Sequence, residues 1–240
     1  MDNPSENLKL ASTLIHMAQG VAFFIIGMMA IYVMEKGEMA SEKFKFIAPL
    51  SFIFAGAITL MVMIGVLGNW SFDSAIAVMK IKPGFFIFMA LACVFISSGF
   101  SGVLFESDRQ KNKVWVYFYL IFIFAIALLY AFMHTRVNGA AEVFVMTHHI
   151  AIASTLALAL IFKITEFFTE KKSVKILGIV FLLITSFQLF TYKESDNSFK
   201  HKKVIFEVEG AAESSEALVK GDKKEHKAND KTTNKKRHSN

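Results

Sequence analysis

Six stretches of about twenty residues, each apolar and nearly free of charge, limit what this chain can become. A helix rises ~1.5 Å per residue, so ~20 such residues cross the ~30 Å hydrocarbon core of a bilayer. The runs fall at 10–34, 46–68, 84–105, 114–133, 143–163 and 174–192. None alternates apolar with polar residues as a barrel strand must. The expected fold is therefore an all-α membrane protein, a bundle of about six transmembrane helices. Composition agrees: 54% of the 240 residues are hydrophobic and 26 are Phe, more apolar surface than a soluble domain of this size has use for.

The connections carry secondary expectations. Pro49 sits in the first turn of the second run, where its missing donor is not needed. Residues 69–83 (NWSFDSAIAVMKIKP) read as a short interfacial helix, with Phe72, Ile76 and Met79 on one face and Trp70 among head groups. Ser97, Ser98, Gly99, Ser101 and Gly102 allow close approach of a neighbouring helix. From 193 to 240 the chain is polar and reads as a flexible basic tail, within which 204–208 (VIFEV) is too short to support a domain. The last stretch, 220–240, holds eight Lys/Arg against three acids, which suits contact with anionic lipid head groups better than nucleic acid.

Cys93 stands alone, so there is no intrachain disulfide and no CxxC motif. The first run is too long for a cleavable signal, and Asp2 and Glu6 precede it. The expected location is a cell membrane, spanned several times. The loop Lys and Arg residues divide almost evenly between the two faces, and only the charge step across the first run favours an N-terminus outside.

Histidines give the chain its one chemical level. His16 lies seven residues beyond Lys9, ~10 Å into the first helix. His148 and His149 lie six and seven residues beyond Glu142 in the fifth helix, which runs the same way, so their depth matches. His134 ends the fourth helix on the same face, nearer the surface. Placing an imidazole in hydrocarbon is costly, which makes this level the candidate site. His16 shares a stripe with Ser12, Thr13, Gln19, Gly20, Phe23 and Gly27, which points it toward protein. His148 shares a stripe with Ala151, Ile152, Thr155 and Ala159, whereas His149 lies with Ala153, Leu156 and Leu160. The smaller stripe favours His148 for the bundle interior, with His149 secondary.

Three chemistries fit such a level. Two imidazoles from two helices can ligate one b-type haem, here His16 and His148, with Gly20 giving the macrocycle room. The segments LIHMAQG and HHIAIAST resemble haem-binding spans in the membrane cytochrome b subunits of respiratory reductases; the likeness covers those two segments and has no defining motif. It implies a redox or sensory role, with a quinone, a redox protein or other membrane subunits as partners. The far face has no histidine, so a second haem and a transmembrane haem relay are not expected. The second chemistry is a metal ion held by His16, His148 and His134, with His149 secondary and Asp73 a fourth ligand. The third is proton-coupled or small-solute transport along a polar path joined by Gln19, Thr155, Thr185 and Gln188. A non-enzymatic subunit anchoring a larger complex is the remaining class. No nucleotide-binding glycine loop, HExxH helix, nucleophile elbow or paired intramembrane carboxylates occur, so hydrolysis and primary pumping lack support.

Overall fold

A computed structural model describes residues 4–37, 42–81, 83–108, 112–137, 139–169, 171–195 and 198–199. Its helices are α1 (Pro4–Lys36), α2 (Ile47–Val62), α3 (Phe72–Ile81), α4 (Phe86–Ser107), α5 (Lys113–Ala131), α6 (Gly139–Thr169) and α7 (Lys172–Thr191). All but α3 belong to segments long and apolar enough to cross a membrane, six in number, and the described residues contain no strand. The protein is a multi-pass, all-helical membrane protein. The residues from 201 onward, which carry the expected basic tail and its VIFEV segment, lie outside the described part.

The six long helices form a ring in which each packs on its neighbour in the chain, α3 standing aside, and α1 closes the ring against α7. Connections are short, so successive helices are antiparallel. The loops after α1, α4 and α6 share one face of the ring. The α1 N-terminus, the α5–α6 turn and the residues after α7 share the other, here termed the histidine face.

Sequence dictates where the helices come closest. On α2 and α4, a Cβ at Gly56 would lie 2.7 Å from the Ala92 carbonyl, and one at Gly99 would lie 2.6 Å from the Pro49 carbonyl. Two backbones can meet this way only where both sides are small. Inside the ring, Phe23, Phe52 and Phe95 meet edge to face, with centroids 5.4 Å (Phe23–Phe52), 5.7 Å (Phe23–Phe95) and 5.2 Å (Phe52–Phe95) apart. Outward positions such as Phe54, Met61, Phe100, Tyr117 and Phe187 are exposed and apolar, as lipid contact requires.

Two local expectations change. α2 ends in a π-helical turn, Met63–Leu67, followed by positive φ at Asn69 and Trp70 (46° and 63°). α3 then packs on that turn through Ala75 and Met79, with Ile76 partly buried against the core; of the face expected from the apolar spacing, only Phe72 is exposed. The second change is after α7. The polar chain does not leave the bundle at residue 193: Tyr192, Ser198 and Phe199 are buried, and Phe199 stacks on Phe85 at 5.5 Å.

Substituting Gly99→Leu is expected to cost about 1–3 kcal/mol or more by overpacking the α2–α4 seam. The exposed neighbour change Phe100→Leu should cost little. Thermal unfolding in detergent checks both.

Candidate functional site

Each imidazole at the histidine level is first anchored to its own helix. His16 Nδ1 lies 2.6 Å from the Ser12 carbonyl, and His149 Nδ1 lies 2.8 Å from the Val145 carbonyl. Both rings then project their other nitrogen across the bundle, and the two Nε2 atoms meet at 3.1 Å. Both side chains are fully buried. The Tyr192 ring covers them, with its centroid 4.5 Å from that of His16 and 4.7 Å from that of His149.

The proton count of this arrangement is unusual. Carbonyl oxygens only accept, so each Nδ1 contact needs a proton on nitrogen, and the Nε2–Nε2 contact needs one more. Two neutral imidazoles bring two protons to three contacts. All three contacts carry a proton only when the pair holds a third.

Around the pair stands a charged clamp. Ser12 Oγ donates to Glu194 Oε1 at 2.7 Å, and the Arg136 guanidinium forms a buried ion pair with the same carboxylate. Arg136 also donates to the Tyr192 hydroxyl at 3.5 Å, and its guanidinium carbon lies 5.1 Å and 5.7 Å from the ring centroids of Phe88 and Phe199. Gly84 makes this possible, because a Cβ there would stand 2.4 Å from the Arg136 Cα. The α5–α6 turn, the turn before α4, α1 and the segment after α7 therefore converge on one ion pair. Among the described residues, Arg136 Nε and Nη1 and Glu194 Oε2 are buried without a hydrogen-bond partner.

Burial opposes the charge on Glu194, but Arg136, the Ser12 hydroxyl and nearby His16 outweigh it and hold the carboxyl below its ordinary pKa. Burial likewise pushes the Tyr192 phenol upward, keeping it a neutral donor.

The expected ligand pair is corrected. His148 is exposed and bonds back to the Phe144 carbonyl at 2.9 Å, whereas His149 faces His16. Small residues on the His148 stripe mark where α7 comes close, not where the interior lies. Thr155 bonds to Gln188 and Thr185 at 2.8 and 2.9 Å there, and Ala159 lies beside Gly178. The greasier stripe of Ala153, Leu156 and Leu160 is buried throughout, whereas on the His148 stripe Ile152 and Ala159 are buried and Ala151 is exposed. Gly20 likewise faces α7: a Cβ on it would stand 3.3 Å from Leu189, Phe190 and the Ser186 carbonyl, and Ser186 Oγ donates to the Gly20 carbonyl at 2.9 Å.

Haem and metal readings meet this geometry differently. Axial haem ligands stand on opposite faces of a macrocycle with iron between them. Here the two Nε2 atoms touch, Tyr192 and Phe88 pack on His16, and Gly20 is taken up by α7, so these residues do not fit the group. Nor do His16, His148 and His134 share a site. His134 bonds to the Ala131 carbonyl at 3.1 Å, Asp73 is exposed, and no group of three or more His, Cys, Asp or Glu able to hold a metal occurs among the described residues.

Residues absent from the expectation are Arg136, Glu194, Tyr192 and Tyr130. Tyr130 donates to Gln19 Oε1 at 2.7 Å one turn deeper than the pair. The signal for Arg136 and Glu194 was opposite charge just outside spans that end on one face. Compared with known proteins, the chain matches no family model, and no curated protein or solved structure matches it.

Because the folded pKa of Glu194 is depressed, its clamp stabilises the fold at and above the ordinary carboxylate range and is lost as pH falls through the lowered value. Hydrogen exchange across 192–199 should therefore stay slow at pH 5 and above, and speed up only in stronger acid. In Glu194→Ala it should be fast at every pH.

Proposed function

We propose that the protein is a proton-linked membrane carrier or channel whose proton-binding element is the His16–His149 pair. The observation that carries this reading is the three-contact, two-proton arrangement: both Nδ1 atoms on backbone carbonyls, both Nε2 atoms in contact at 3.1 Å. Imidazole is the side chain suited to exchanging a proton near neutral pH.

The surroundings give that proton somewhere to go. On the histidine face, exposed His148 lines a cavity of about 220 Å³ with Gln188, Thr191, Tyr192 and Lys193. The Tyr192 ring stands between this cavity and the buried pair, its centroid 6.1 Å from that of His148. The Tyr192 hydroxyl itself is held by Arg136, so a proton passing from the cavity to the pair must move around the ring that covers it. Arg136 and Glu194 form an ion pair beside these histidines, and Ser12 joins its carboxylate to the turn of α1 that holds His16. Toward the other face, Gln19–Tyr130 and then the Phe23, Phe52 and Phe95 cluster close the path. This is a barrier of the kind a carrier opens in turn.

Full-length protein in liposomes, given a pH gradient and an internal pH-sensitive dye, tests the proposal. Proton flux should fall by roughly a hundredfold in His16→Gln and in His149→Gln, each keeping a polar side chain of similar size. His148→Gln should lose far less. Flux equal to that of empty liposomes, or unchanged in both pair variants, would falsify the assignment.

A further inference from the structure

The opposite half of the ring is not packed like the histidine half. All six long helices splay there around a cavity of about 510 Å³. Such a volume lies within the ~300–1,000 Å³ range of small-molecule sites. Its floor is the inner side of the aromatic barrier, with Phe52, Ile123, Leu156 and Leu182 contributing, and it has almost no polar atoms along its walls. Charge is confined to the mouth, where Lys45, Glu106, Lys163, Glu166 and Lys175 stand at the helix ends.

Within that mouth Glu166 serves two lysines at once, Lys163 at 2.9 Å and Lys175 at 3.7 Å. Lys45 is half-buried at the start of the second span and has no ion-pair partner among the described residues. Among the described lining residues, three lysines stand against two glutamates. A lysine stem can lie along the apolar wall while its ammonium stays at the water level.

We infer that this cavity is a binding site for a single-chain anionic amphiphile, a long-chain carboxylate whose tail fills the apolar chamber and whose head meets Lys45. A volume of about 510 Å³ suits one such chain, and a fully polar solute would leave its own groups unpaired against these walls. A neutral hydrocarbon would make no contact that uses the ammonium at the mouth. The mouth lies at the level where the spans end, so such a molecule enters from the adjoining leaflet or from water. This site is separated from the histidine pair by the aromatic cluster, and neither assignment requires the other.

Titration of the full chain in lipid nanodiscs with tritiated oleate, the methyl ester serving as the uncharged control, decides the matter. One saturable oleate site per chain is expected, weakened about tenfold by Lys45→Gln, with that difference shrinking at high salt. Ala30→Phe and Ala48→Phe, each placing a ring in the chamber, should remove it while unfolding temperature is kept. Native mass spectrometry of the same samples separates the two sources of an anionic single tail, free fatty acid from the bound medium and lysophospholipid from the membrane. A lysophospholipid adduct that oleate cannot displace overturns the carboxylate assignment. Absence of saturable binding, survival of binding in both filled variants, or equal binding of the methyl ester overturns the site. Should neither filled variant fold, the Lys45→Gln and methyl ester comparisons decide alone.

Discussion

Within hydrocarbon, every polar group must find its partner inside the protein, and that constraint arranges this molecule. Backbone groups satisfy it by making helices. Polar side chains satisfy it by meeting one another at one level: Ser12, His16 and Gln19 of α1 bond to Glu194, His149 and Tyr130 from three other parts of the chain. These contacts fix which face of α1 turns inward, and so fix where the ring can close. Below them the close approaches at Gly56 and Gly99 and the edge-to-face phenylalanines set the registry of the apolar interior.

The two halves of the ring answer different demands. On the histidine face the chain is folded back on itself, with Arg136 held between two phenylalanine rings and paired to Glu194. Breaking one member of such a pair leaves an uncompensated charge, so the clamp enforces structure more than it adds net stability. On the other face the helices diverge, and the space between them is lined with apolar side chains and rimmed with lysine. A closed, titratable end and an open, apolar end are joined by three phenylalanines.

Much of this was legible in the sequence. Six uncharged runs gave the six spanning helices, and the position of His16 on a polar stripe gave its inward face correctly, since Ser12, Gln19, Gly20, Phe23 and Gln19's neighbours on that side are buried. The choice between His148 and His149 was not legible by residue size. Small residues permit backbones to approach, which happens between adjacent helices at the rim of a ring, whereas the centre must be filled by Leu and Phe. The clamp was hidden for another reason. Glu194 lies in a polar stretch that reads as a tail, and its pairing with Arg136 spans 58 positions, a relation no local pattern encodes.

Closure of α1 against α7 has a consequence for how the protein is made. α1 emerges first from the ribosome, carrying a serine, a histidine and a glutamine whose partners lie on α5, α6 and the segment after α7. Until those arrive, these side chains lack their partners from the rest of the bundle, although His16 keeps its contact with the Ser12 carbonyl. The inward face of the first helix is thus complete only when the last helix and the segment after it are in place. Assembly of this ring is timed by its final turn.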